Sequence, residues 1–284
     1  MRAAFLFPIL LTAAMAANSP SYERALELYN HTDYSGAIAA LKSVPQDAPT
    51  LQLMGRSRFM QGDYQGAIDV LEKAAKLEPA SSDTALWVGR AYGRRAETAF
   101  PLMAVGFATK ARDAFEKAVR LNPRNGEAVN DLFEFYLNAP GVLGGGTDRA
   151  RKLLPLIAQI DPAEVCFANA RLAEQKKDYH AAESNLRKAI ELAPRQAGRV
   201  LDLAKLLWKQ GRYEDAERVF GQAETLAPHS PRVDYARAES YIEAKKNLDV
   251  ARKLLNKYIA STNLTPDDPS REEARRLLKK AEGA

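Results

Sequence analysis

The sequence predicts an all-α solenoid of about seven helix-turn-helix pairs with a C-terminal capping helix, and three observations carry that expectation. First, an eighteen-residue pattern recurs at Gly62 to Pro79, Lys177 to Pro194 and Gly211 to Pro228. Second, its shared positions are an aromatic (Tyr64, Tyr179, Tyr213), an alanine (Ala67, Ala182, Ala216), a bulky apolar residue (Leu71, Leu186, Phe220) and a second alanine (Ala74, Ala189, Ala223). Those steps keep one apolar stripe on one helix face, with small residues where a neighbouring helix approaches and a proline where the helix stops. Third, the equivalent alanines Ala37, Ala67, Ala111, Ala150, Ala182, Ala216 and Ala251 are separated by 30, 44, 39, 32, 34 and 35 residues. That period leaves room for a second amphipathic helix before each repeated one.

In chain order, the N-terminal stretch M-R-A-A-F-L-F-P-I-L-L-T-A-A-M-A-A has one arginine, an apolar run and an A-x-A site, and it reads as a signal peptide over residues 1–17. Its apolar run is shorter than the roughly 20 residues of a spanning helix. The expectation is therefore an exported chain, periplasmic or secreted, with residues 18–284 as one solenoid domain and no stable membrane insertion. Of the 284 residues 46% are hydrophobic and 27% charged, which is the composition of an ordinary soluble protein. A net charge of +5 spread over mixed-sign helices, without a concentrated basic stripe, argues against nucleic acid as a partner. Cys166 is the single cysteine, so no internal disulfide forms, and it reads as a small apolar core residue.

The repeats resemble the tetratricopeptide repeat (TPR) family, whose period is about 34 residues. The resemblance is carried by Gly55, Ala67, Leu71, Ala74 and Pro79 in one copy, by Gly89, Tyr92, Ala111, Phe115, Ala118 and Pro123 in the next, and by copies ending at Pro162, Pro194 and Pro228. It implies a right-handed superhelix in which the first helix of each pair lines a concave groove. The end copies depart from the pattern: the Ala37 copy has a short second helix before Pro45, and the Ala251 copy has Tyr258 where a small residue is expected. A capping helix is expected over about 269–283, started by Pro269 and Ser270 and docked through Leu277, Leu278 and Ala281.

Two copies are stretched. Tyr92 to Ala111 spans 19 residues and Tyr136 to Ala150 spans 14, where regular copies need about nine. Long loops are expected at about 94–110 and 138–147, side by side on one edge. The expectation is that Phe100, Leu102 and Phe107 pack under Val142 and Leu143 as a satellite core, the alternative being a loop surface that touches a partner or a membrane. The G-G-G-T-D run ending at Asp148 lacks the lysine of a phosphate-binding loop, so Thr147 reads as a helix cap. His31, His180 and His229 have no metal-ligand spacing, and no catalytic residue, cofactor or metal is expected.

With Gly55 and Gly89 at position eight, the resemblance places Arg56, Arg90, Glu134, Arg171, Lys205 and Ser240 at the ninth, groove-facing position. It places Phe59, Leu86, Phe167, Leu201 and Trp208 at apolar groove positions. Four of the six ninth positions are cations, which predicts a positive field suited to an acidic segment or a C-terminal carboxylate of a protein or peptide partner. Three functions stay open: an exported interaction scaffold, an accessory or catalytic subunit of a cell-envelope enzyme using the two loops, and a structural spacer. The oligomeric state is not legible.

Overall fold

The computed structural model describes residues 19–283; the stretch read as a signal peptide, 1–17, lies outside them. The described residues form sixteen α-helices and one 3-10 turn. Seven consecutive pairs follow one another: α1 (Pro20–Asn30) with α2 (Tyr34–Leu41), α3 (Ala48–Met60) with α4 (Tyr64–Leu77), and α5 (Ser82–Thr98) with α6 (Pro101–Leu121). Next, α7 (Gly126–Asn138) pairs with α8 (Thr147–Arg151) and α9 (Leu154–Ile160), where Pro155 at the start of α9 accompanies a split second helix. Then come α10 (Pro162–Gln175) with α11 (Tyr179–Leu192), α12 (Ala197–Lys209) with α13 (Tyr213–Leu226), and α14 (Pro231–Glu243) with α15 (Leu248–Ala260). The last helix, α16, is Arg271–Glu282.

All seven repeat alanines, from Ala37 to Ala251, are fully buried, because each lies where the paired helices cross. Gly55 and Gly89 do the same work from the first helix. A Cβ on Gly55 would stand 2.4 Å from a Leu71 side-chain carbon, and one on Gly89 would stand 2.6 Å from the Phe115 ring. The turn between paired helices is also encoded locally. Thr32, Gly62, Lys177 and Gly211 each take a left-handed conformation, and Asp33, Asp63 and Asp178 then accept the N–H of Gly36, Gly66 and Ala181 at 2.8, 2.9 and 3.0 Å.

The stretch 94–110 is not a loop. α5 runs on to Thr98 and α6 restarts at Pro101, so the extra residues lengthen two helices into a projecting hairpin with a break of only Ala99 and Phe100. Pro101 is compatible with this because a missing N–H costs nothing in a first turn. The satellite core also does not form: Phe100 is 81% exposed, Leu102 89% and Val142 94%. Phe107 packs instead on Tyr92, ring centres 6.1 Å apart. The second stretch does leave the helices, as a 3-10 turn over Gly141–Leu143 that is tied to α6 where Arg112 donates to the Leu143 carbonyl at 3.1 Å. Gly146, not Thr147, occupies the cap of α8, and its N–H bonds the Tyr136 carbonyl at 2.7 Å.

The superhelix curls until its C-terminal helix reaches its beginning. On α16, Arg271 donates to Thr32 Oγ1 at 2.7 Å, Arg276 to the Tyr64 hydroxyl, and Glu273 accepts from Arg94. On the other side Ala274 and Ala281 are buried against the seventh pair, with Leu277 and Leu278 packed partly under it. Tyr258 fills the place of the expected small residue because it spans to this closing segment: it is fully buried and donates its hydroxyl to the Pro269 carbonyl.

Candidate functional site

Closure turns the groove into a lumen of about 1060 Å³, walled by α3, α5, α7, α12 and α14, part of α6, and the segment from Pro266 to Glu273. A smaller recess of about 400 Å³ adjoins it, lined by Gln52, Arg56, Leu86, Arg90, Glu127 and Asp267 among others. First helices dominate both walls, as the resemblance implies.

The charges in the wall are arranged differently from the predicted positive row. Arg90 holds Asp131 at 2.6 Å and Glu127 at 2.9 Å. Arg171, which itself lines neither cavity, forms a two-pronged pair with the wall residue Glu134 at 2.9 and 3.0 Å, and Lys205 holds Glu239 at 2.6 Å. Arg56 has no carboxylate partner among the described residues; its guanidinium lies between the rings of Tyr29 and Trp87, at 4.8 and 4.9 Å. Three of the four cations are thus neutralised in place, and no additive positive field results. The reason is the repeat itself. Residues one period apart become neighbours in a stacked solenoid, and Asp131, Glu134 and Glu239 stand 41, 37 and 34 residues from their partners. Reading acids at that offset would have revealed the pairing.

The apolar positions divide. Phe59 is half-buried and lines the lumen, packed on Trp87 at 5.4 Å. Leu86 and Leu201 are buried at the base of the walls. Phe167 lies under the Arg199 guanidinium, 5.5 Å from its ring centre, and is not part of the lumen wall. Trp208 is a correction: it is 3% exposed and sits in the core between Tyr213 and Tyr241, with ring centres 4.6 Å away on each side. It stands three residues beyond Lys205, about 300° round the helix, and Tyr213 at the start of the second helix of its own pair covers it. Of the proposed loop surface, only Leu143 reaches the lumen.

Counting the wall residues, eight carboxylates face five cations, so the lumen is acidic although the chain is basic. Two of the carboxylates, Asp202 and Asp267, have no ion-pair partner among the described residues. Burial pushes the Asp202 carboxyl up to about 7, outweighing the nearby Lys205 and Arg199 charges. Asp131 is also raised, by burial that exceeds the pull of Arg90. Neither Asp202 nor Asp267 stands at a position the repeat pattern marks, so both escaped the sequence reading.

The lumen is wide, and its charged groups come from several helices. Its volume is at or above the upper end of ordinary small-molecule sites, about 300–1,000 Å³. Its polar groups are dispersed around a rim and not converged on one reacting atom.

Comparison with known proteins agrees with the architecture. Tetratricopeptide repeat models match residues 49–81, 173–239 and 207–281, together half of the chain. Among solved structures, a thermophilic TPR protein of Thermus thermophilus superposes with a TM-score of 0.53 at 23% identity, over 70% of this chain and 97% of that one. A tetratricopeptide repeat protein of Parabacteroides merdae gives 0.58 at 17% identity, over 93% and 100%. A chain of the Cut9–Hcn1 hetero-tetramer of the APC/C gives 0.52 at 17%, over 90% of this chain and 48% of that one. No curated protein matches. With the repeat alanines buried at every crossing and the family models matching half of the chain, the chain belongs to the tetratricopeptide repeat family.

Proposed function

We propose that this chain is a protein–protein interaction scaffold that receives a segment of another protein in its lumen, and that the segment carries lysine or arginine side chains. Family and fold support a scaffold. The excess of carboxylates in the wall, with Asp202 and Asp267 unpaired, supports the sign of the partner's charge, which is opposite to the one expected from the row of arginines. A cationic side chain beside Asp202 would supply the counter-charge that burial withholds. We also propose that the scaffold acts outside the cytoplasm, on the strength of residues 1–17 alone; N-terminal sequencing of the native protein beginning at Ala17 or Asn18 is the expected result.

The test is a peptide array of graded net charge, followed by anisotropy titration of the best binders. Lysine- and arginine-containing segments should bind, and Asp202→Lys or Asp267→Lys should weaken them by about tenfold or more while helicity is unchanged. Preferential capture of acidic segments, or affinity indifferent to both substitutions, would place recognition elsewhere.

A further inference from the structure

The α5–α6 hairpin ends in an apolar tip with no neighbour. Phe100 and Leu102 are 81% and 89% exposed, and Met103 and Val105 are more than half exposed. Other large exposed apolar side chains stand singly, as Leu77, Leu121, Leu192 and Leu226 do at the ends of four second helices. Here four fall within six residues, at the end of an arm that the regular repeats do not have. A contiguous exposed apolar patch of this kind marks an interaction site.

Charge says which kind. From Thr98 to Arg112 there is no acidic residue, and from Ala99 to Ala108 no charged residue of either sign. Immediately behind the tip stand Arg95 and Lys110, neither with a carboxylate partner among the described residues; the exposed Glu97 beside them is neutralised by its ion pair with Arg94 at 2.8 Å. Each is held by an aromatic ring: Arg95 lies 5.1 Å from the Phe107 ring centre, and Lys110 lies 4.9 Å from that of Tyr92. At the helical rise of about 1.5 Å per residue, these cations sit roughly 6–15 Å behind the tip. Interfacial elements bury their apolar part by about 5–10 Å at the boundary between acyl chains and headgroups. The order of the arm, apolar end first and cationic collar behind it, therefore matches an anionic bilayer in depth as well as in sign. A convex spike suits a fluid surface; a protein partner would need a preformed apolar hole for it.

We propose that the tip of the α5–α6 hairpin is a peripheral membrane-docking element that dips into the interface of anionic bilayers and holds the solenoid at their surface. Docking is reversible and does not span: among the described residues no helix is long and apolar enough to cross a membrane. The four apolar tip residues do not line the lumen, which the hairpin meets only through its base.

The experiment is sedimentation of the full chain with phosphatidylglycerol–phosphatidylcholine vesicles and with pure phosphatidylcholine vesicles. The protein should sediment with the anionic vesicles, less as salt is raised. The double substitution Phe100→Ser and Leu102→Ser should lower partitioning by about tenfold or more, since it removes two side chains from the inserted part. Arg95→Gln with Lys110→Gln should abolish most of the preference for anionic lipid, about fivefold per cation. Phe100 and Leu102 are clear of the buried repeat core, and glutamine keeps part of the stems with which Arg95 and Lys110 cover Phe107 and Tyr92, so circular dichroism should be unchanged. The proposal is overturned if the protein ignores both vesicle types, or if the serine variant partitions like the wild type. It is also overturned if the tip mediates self-association without lipid, which would make a second copy its occupant.

Discussion

Arg94, on the first helix of the third pair, donates a hydrogen bond to Glu273 on the C-terminal helix, 179 residues further along the chain. Around this contact Tyr64 lies between two guanidinium groups, with Arg94 at 5.7 Å and Arg276 at 5.3 Å from its ring centre. These residues join the cap to the second and third pairs, as Arg271 joins it to Thr32 in the first.

The closure is therefore testable at one residue pair. Arg94 and Glu273 are about one-quarter and one-third exposed, so their coupling should be about 1 kcal/mol, and not the several kcal/mol of a buried pair. A double-mutant cycle with Arg94→Ala and Glu273→Gln reads it. Gln suits the second position because Glu273 also closes a capping box with Ser270, which an amide retains. The single Arg94→Ala change should also speed hydrogen exchange over Arg271–Glu282 and raise the radius of gyration in solution scattering. Exchange and scattering identical to wild type would mean that the ring is held by other contacts.

Trp208 distinguishes a core residue from a groove anchor. Its indole is enclosed by Tyr213 and Tyr241, and Trp208→Ala should cost about 3–5 kcal/mol in urea unfolding. Its ring nitrogen has no acceptor among the described residues. Trp208→Phe therefore loses no hydrogen bond and should cost less than the alanine change. A small stability loss accompanied by loss of partner binding would return Trp208 to the groove.

How far these features were legible in the sequence depends on whether their causes are local. Ala37 to Ala251, Gly55 and Gly89 were legible because a helix crossing needs a small residue at a fixed step, and such steps survive in one dimension. The overshoot of α5 and α6 was not. Measured against the repeat, extra residues resemble an insertion, and Phe100–Pro101 resembles a loop, although a proline keeps the residue before it out of the helix and is itself at home in a first helical turn. The neutralised arginines were half legible, since the cations could be placed but their acids lay a repeat away. The contact of Arg94 with Glu273 had no sequence signal: it depends on the rotation accumulated over several pairs, which no single repeat specifies.

Asp202 links stability, pH and ligand. In the folded chain its carboxyl titrates at about 7, whereas in the unfolded chain an aspartate titrates near 3.9, about three units lower. Between those values the folded state keeps a proton that the unfolded state has released, so it binds more protons and its stability falls as pH rises from about 4 to about 7, then levels. Asp202→Asn carries no such proton. It should flatten this part of the stability profile and stabilise the chain at pH 8 by about 1–2 kcal/mol, the wall being open to water on one side. Partner binding should show the opposite sign. A lysine or arginine placed beside Asp202 favours the carboxylate and so expels its proton, and affinity should weaken as pH drops below about 7. Calorimetry at pH 6 in buffers of different ionisation enthalpy measures the released proton directly. Release of a fraction of a proton in the wild type, and none from Asp202→Asn, is the expected result; equal release from both would show that the bound cation lies away from Asp202.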